Sequence, residues 1–315
     1  MIDFFTRIYT SIRDKNDILK RLKFYSLQRF LVRNIANAIL PSYFTISNLF
    51  RAYKLKKAAG NRVSIIVSLT TFPARVNKVW MVIESVLRQD TLPDRIILWL
   101  SEEQFSSLSD VPKKLLKLQQ RGLEIIIRPG DLRSHKKYYY AIELYPKDVV
   151  ITIDDDMFYP SNTLSELLSL SEKYPGVVCC HRGSTIAVKD NDVLPYKEWG
   201  EIDNNSNPSY DILPTGCGGI LYPPGALSAE VLNKAVFMAY CKHADDIWLY
   251  AMAQFNGTKL VKTNSNNILI PVVNKADITL ASINVDENLN DKQLNEIRAY
   301  YKTSLNIDML SHVFN

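Results

Sequence analysis

Cysteine, histidine and long apolar runs are what this 315-residue sequence has least of. Its four cysteines, Cys179, Cys180, Cys217 and Cys241, show no CxxC or Cys/His ligand spacing, and two of them are adjacent in a strand-like run. That pattern argues against a disulfide-stapled fold and reads as small buried apolar residues in a reducing compartment. His135 and His243 lack a Cys or His partner at ligand spacing, so neither is assigned zinc. No stretch reaches the roughly 18 apolar residues of a membrane span. The best candidate, residues 30–40, is interrupted by Arg33, Asn34 and Asn37 and is expected to stop at Pro41. The first residues also lack the apolar core of a signal peptide, so the expected location is cytoplasmic. Internal repeats and low-complexity tracts are absent as well.

What is present is an ordinary globular balance, 47% hydrophobic and 23% charged, long enough for one large α/β domain with additions. The net charge of +5 is unevenly placed. Residues 1–62 hold 13 Lys and Arg against 3 Asp, so the remainder is net acidic. A polyanionic partner is therefore a question about the N-terminal segment alone. There Phe4, Phe5, Ile8, Tyr9 and Ile12 share a helical face with Arg7 and Arg13 away from it, residues 17–40 read as helical, and Lys54, Lys56 and Lys57 extend the positive run. Two readings stand with equal weight: packing on the main domain, or attachment to an anionic membrane surface. No nucleic-acid partner is expected.

From Asn61 the pattern alternates. Strands are expected at Ser64–Leu69, Arg95–Leu100, Leu123–Arg128 and Asp148–Ile153, with helices over 76–88, 111–121 and 136–144 between them. Such alternation predicts a mostly parallel sheet whose ligands bind beyond the carboxyl ends of the strands. After it come a helix at 162–174, a strand at Val177–Arg182, an irregular polar segment from Ser184 to Asp211, a Gly-rich turn around Gly216, Gly218 and Gly219, and helices at 228–240, 243–253 and 291–303. The expected divisions are a basic helical extension at 1–60, a catalytic domain at 61–285, and a C-terminal helix and tail at 286–315.

The most telling stretch is ITIDDDMFYP, residues 151–160, where a β-branched run ends in Asp154, Asp155 and Asp156. Two carboxylates about 4 Å apart repel by roughly 1 kcal/mol in water and roughly 4 kcal/mol at an effective dielectric of 20. A divalent cation, Mg²⁺ or Mn²⁺, relieves that repulsion through one or two carboxylates plus a substrate's phosphates. The plainer reading is a solvated acidic turn.

The series SIIVSLTTFPAR, VIESVLRQ, ITIDDDMFYP, GGILYPP and ADDIWL resembles the nucleotide-sugar glycosyltransferases of the A-type fold, and most of all family 2 with its members in bacterial polysaccharide and glycolipid assembly. The resemblance spans about residues 62–270. It implies a Rossmann-like α/β fold and a metal-dependent enzyme moving a hexosyl or N-acetylhexosaminyl group from a nucleoside-diphosphate sugar, a UDP-sugar by preference, to a glycan or lipid-linked acceptor. By the same resemblance, Asp154 and Asp155 contact the nucleotide, and Asp156 with Asp154 holds the metal. The loop Thr70, Thr71, Phe72, Pro73 and Arg75 cradles the nucleotide, Lys137 meets the diphosphate, and Asp246 with Asp245 beside it supplies the base. Location would be cytoplasmic, on the inner face of the membrane if residues 1–60 bind lipid.

Departures from the family pattern leave several readings open. The chain has WLSEEQ where many members carry a base-reading Asp, so Glu102 or Glu103 is the substitute and the base identity is open. The acidic pair is Asp-Asp instead of Glu-Asp, and the triple aspartate also resembles domains that retain configuration, so stereochemistry is open too. Asp245 and Asp246 read alternatively as helix N-terminal acids, Lys137 as an exposed helix charge, and Trp199 as an acceptor-stacking ring or a packing anchor. Gly218 and Gly219 read as room for a sugar or as a plain turn, and His312 as an added metal ligand or a solvated terminal side chain. The competing functions are a metal-dependent phosphohydrolase with an Asp nucleophile and a non-catalytic nucleotide- or glycan-binding module.

Overall fold

The computed structural model describes residues 1–12, 17–51, 53–55, 62–190, 192–202, 207–274 and 289–314. Arg13, Lys56, Lys57 and the expected divisions near residues 60 and 285 lie outside them. The chain is an α/β protein built on a seven-stranded sheet, as the alternation of patterns predicts. Four strands form its parallel half: β1 (Ile65–Thr70), β2 (Arg95–Ser101), β3 (Leu123–Arg128) and β4 (Val149–Thr152). β1 lies between β4 and β2, with Ile66 opposite both Val150 and Arg95. Beyond β4 the sheet continues through Ile220–Tyr222, antiparallel to both its neighbours, then Val178–Cys180 and Leu260–Lys262.

These strands are apolar on both faces because both faces are covered. One face meets the helix Val79–Val86 through Val67, Leu69, Ile96, Leu98 and Ile151. The other meets the helices Lys136–Leu144 and Asp245–Phe255 through Ile66, Ile97, Trp99 and Val150. Cys179, Cys180 and Cys241 are buried free thiols, in line with the sequence reading.

Four expectations need correction. The helix that begins at Phe24 does not stop at Pro41 but runs on to Phe50. Leu40 and Phe44, on either side of the proline, are fully buried, and the Asn37 amide ties this stretch to the domain. It donates to the Pro271 carbonyl at 2.9 Å and accepts from the Val273 amide at 2.8 Å. In the first helix, Ile2–Ser11, the apolar residues divide: Phe5 and Tyr9 are buried, while Phe4 and Ile8 face outward. The expected helix at 111–121 is a single α-turn, Lys113–Leu116, followed by a 3₁₀ stretch that ends at Gly122. Gly122 has φ +104°, and a methyl group there would sit 2.8 Å from Leu55 Cβ. The segment expected to be irregular carries a small antiparallel sheet, with Gly183–Thr185 between Gly200–Glu201 and Ile212–Pro214.

Of the two readings of the N-terminal segment, packing is realised on one side. Ala36, Leu40 and Phe44 join the same core as Val67 and Trp80. Beneath the helix lies a buried ion cluster in which Glu84 pairs with Arg88, with Arg121 at 2.5 Å, and accepts from the Asn48 amide at 2.8 Å. Arg88 returns 2.8 Å bonds to Ser47 and Asn48. Among the described residues no helix is long and apolar enough to cross a membrane. Removing one partner of such a cluster leaves the other charges buried without compensation. Glu84→Ala is expected to cost about 3–5 kcal/mol in stability, measured by denaturant unfolding.

Candidate active site

The carboxyl ends of β1 and β4 open on one crevice, which is walled by the N-termini of the helices Lys136–Leu144 and Asp245–Phe255 and by the turn before Ile220. The acidic run follows β4 directly. Asp155 is buried and takes the Thr71 hydroxyl at 2.5 Å and Arg75 Nη1 at 2.8 Å. The same Arg75 nitrogen lies 2.9 Å from Asp156 Oδ2, with the guanidinium over the Phe72 ring at 5.3 Å. The loop expected to hold a nucleotide is therefore already clamped to the acids by Thr71 and Arg75. Thr70 instead gives its hydroxyl to the Trp99 carbonyl at 2.8 Å, and Pro73 is exposed.

Lys137 joins the two halves of the crevice. Its ammonium is 2.8 Å from Asp154 Oδ1 and 2.9 Å from Asp245 Oδ2. The side chain is buried, so it is not the exposed helix charge that was its plainer reading. Burial works against the charged amine, but Asp154, Asp245 and Asp246 more than compensate and raise it well above its ordinary value. Asp246 Oδ2 accepts from the Gly216 amide at 2.9 Å, while its buried Oδ1 has no hydrogen-bond partner among the described residues. The pair's polar contacts thus run across the crevice to Lys137 and Gly216, where a capping acid would bond its own helix's first turn.

The environments of the pair separate its two acids. Burial opposes ionisation of Asp245, yet Lys137 and then His135 outweigh it and hold the carboxyl below the usual range. Asp246 is pushed up to about 7 by burial and then by the Asp245 charge. Asp156 is likewise raised to about 7, by burial first and the Asp154 carboxylate second. Five carboxylates face two cations, Arg75 and Lys137, in this crevice.

Three contributors were not among the expected site residues. Gly216 has its bare Cα against the acids: a methyl group there would lie 2.9 Å from Asp246 Oδ1, 3.0 Å from Lys137 Nζ and 3.6 Å from Asp154 Oδ1. Its place two residues before Gly218 in a Gly-rich turn was the available signal. Gly218 itself packs against Arg182, where a methyl would meet Cβ at 2.9 Å, and Gly219 supplies a φ of +91°. Tyr159 Oη accepts from the Asp154 amide at 2.9 Å and donates to the Cys217 carbonyl at 3.1 Å, joining the acidic turn to the Gly-rich one. Nothing in local sequence marks that link. Tyr196 is near enough for Asp246 to help raise its phenol, after burial, and its hydroxyl engages Thr215. Its ring is 4.9 Å from Trp199, whose indole is anchored on the Leu194 carbonyl at 2.7 Å. Glu102 and Glu103 are exposed beyond β2. His312 stacks on Tyr210 at 4.6 Å, and Tyr210 in turn bonds Gly257, past the far end of the helix that opens with Asp245.

Residues 72–222 match the family model described as glycosyl transferase family 2. The chain thus resembles the family that its motifs suggest, and the match supports a nucleotide-sugar glycosyltransferase. No protein of curated function matches it. Among solved structures, the mannosyltransferase from Pyrobaculum calidifontis, in complex with GDP-Man and Mn²⁺, is 13% identical with a TM-score of 0.47, covering 87% of this chain and 75% of that one. The inositol-1-phosphate CTP transferase from T. maritima is 10% identical, TM-score 0.41, covering 76% and 98%. A 4-diphosphocytidyl-2C-methyl-D-erythritol synthase is 11% identical, TM-score 0.40, covering 71% and 100%.

Two outcomes follow from the geometry. Asp156 and Asp246 hold protons in the folded state between about pH 4 and 7 that the unfolded chain has released. The unfolded state then binds fewer protons, so stability falls as pH rises across that window. Thermal unfolding of the metal-free protein from pH 5 to 8 should show this decline, of the order of a few kcal/mol, and Asp156→Asn/Asp246→Asn should flatten it. Gly216→Ala forces a methyl against Asp246 and Lys137 and is expected to destabilise by about 1–3 kcal/mol, read by the same melts.

Proposed function

We propose that this chain, with a family 2 glycosyltransferase segment at residues 72–222, transfers a hexosyl or N-acetylhexosaminyl group from a nucleoside-diphosphate sugar to a hydroxyl of a glycan or lipid-linked acceptor in cell-surface polysaccharide assembly. One observation carries the reading. Asp246 has one oxygen fixed by Gly216, the other without a partner among the described residues, and an affinity for protons near neutrality. An acceptor hydroxyl must lose a proton as it attacks the anomeric carbon, and a general base works best with a pKa near the working pH. Asp245, ion-paired with Lys137 and held ionised, is the poorer base and acts by fixing that ammonium. Two neighbouring acids pushed apart by their surroundings are how such roles are divided.

At the other side of the crevice, Thr71 and Arg75 fix Asp155, leaving Asp154 and Asp156 partly open to solvent with side-chain exposures of 30% and 20%. Their surplus negative charge fits a bound Mg²⁺ or Mn²⁺, with Asp156 and Asp154 as the protein ligands and the diphosphate completing the set. Bound there, such an ion supplies neutralisation of the charge that builds on the departing diphosphate. Lys137 keeps Asp154 oriented and adds a fixed positive charge behind it. Tyr196, beside the base, borders the space left for the acceptor.

The test is a thermal-shift screen of UDP-, GDP- and dTDP-sugars with and without Mn²⁺, followed by transfer assays on the donor that binds. A donor at a hundred times its dissociation constant stabilises by roughly 2.7 kcal/mol. Asp246→Asn is expected to keep the Mn²⁺-assisted shift and to lose about 10²–10⁴ in transfer. Bare phosphate release would instead indicate a phosphohydrolase, and a shift with no product a binding module.

A further inference from the structure

The helix Phe24–Phe50 has two apolar faces, and among the described residues only one of them meets the domain. Ala36, Leu40 and Phe44 point into the core and are wholly buried. On the opposite side, Leu27, Leu31, Ile35, Ile39, Ile46 and Leu49 are 43–78% exposed. At 3.6 residues per turn their spacing places them on one stripe along the whole helix, interrupted only by uncharged residues such as Gln28 and Ser42. A monomer in water rarely leaves so long an apolar strip uncovered.

Charge says what covers it. No Asp or Glu occurs between Asp17 and Glu84. Arg29 and Arg33 fall on the domain side of the helix, with Arg29 bonded to the Ile12 carbonyl at 2.7 Å, so the outward stripe itself carries no charge. The bases gather at its two ends: Lys20, Arg21 and Lys23 before it, Arg51 and Lys54 after it, all exposed. A second copy of the helix laid on this stripe would set bases against bases in parallel and antiparallel orientation alike. A bilayer surface containing anionic phospholipid meets both features, taking the apolar stripe below the headgroups and the end charges at them.

We propose that the outward face of the helix Phe24–Phe50 lies flat on an anionic membrane surface while its inner face holds the catalytic domain there. The helix does not cross the bilayer. The consequence is a crevice held at a fixed distance from lipid, which suits an acceptor whose reducing end is lipid-linked. The surface argument does not depend on the chemistry of the crevice, so either can fail its test alone.

The experiment is co-sedimentation of the full chain with phosphatidylcholine vesicles with and without phosphatidylglycerol. The protein is expected to pellet with the anionic vesicles and to be released as salt rises. Leu31→Glu/Ile35→Glu, both at solvent-facing positions, should cut partitioning about tenfold or more while the melting temperature stays near that of the parent. Should the glutamates disturb folding, Leu31→Ser/Ile35→Ser carries the same expectation, and Lys20→Glu/Lys23→Glu should weaken uptake only in anionic vesicles. The proposal is overturned if the parent stays in the supernatant at low salt, if the Leu31/Ile35 variants pellet as well as the parent, or if the stripe instead drives self-association that those substitutions abolish.

Discussion

The ammonium of Lys137, shared between Asp154 and Asp245, is the contact on which the rest of the crevice depends. It joins the end of β4 to the start of the helix Asp245–Phe255, two elements about ninety residues apart in the chain. A buried lysine is expensive on its own, and a buried carboxylate beside it equally so. Each is tolerable because the other is there, and Asp246 is left as the group that must carry the uncompensated charge. Its raised proton affinity comes first from burial and then from having one cation among three acids.

A second cation, Arg75, plays the corresponding part on the β1 side, spanning Asp155 and Asp156 while stacked over Phe72. The two cations divide the five carboxylates between them and leave Asp156 and Asp246 under-neutralised, one at each flank of the crevice. Tyr159 then fixes the spacing of the flanks by bonding the Asp154 amide and the Cys217 carbonyl together. Because Gly216 precedes Cys217 in the same turn, the distance from the acidic run to Asp246 is set by backbone contacts on both sides. Side-chain freedom contributes little to it.

The sheet was legible in the sequence because its strands are buried on both faces and so read as unbroken β-branched runs, from SIIVSL to LEIIIR. The acidic run and the pair in ADDIWL were legible because so many neighbouring acids repel one another unless cations lie between them, as Arg75 and Lys137 do here. Tyr159 was not, since a buried tyrosine with two backbone partners looks in sequence like any core aromatic. The end of the Phe24–Phe50 helix was misjudged for a related reason. Proline disfavours a helix interior locally, by about 3 kcal/mol, but here Leu40, Phe44 and Asn37 bind the surrounding turns to the domain, and tertiary packing decides. The 3₁₀ stretch before Gly122 shows the reverse, an apolar pattern of helical period cut short because Leu55 must pass close to the backbone.

The N-terminal segment shows why a period alone could not choose between packing and a lipid surface. A helix apolar on one side commits that side to a single partner, whereas Phe24–Phe50 is apolar on two. The inner side is fixed by shape, through Leu40 and Phe44 in the core, and by polarity, through Asn48 and Ser47 on the Glu84 and Arg88 cluster. Among the described residues the outer side has no such polar clasp and no countercharge, which suits the broad, apolar and anionic surface proposed for it. With the inner contacts as strong as they are, the helix cannot turn over to present its other face. Whatever covers the stripe therefore takes hold of the catalytic domain as one body with it.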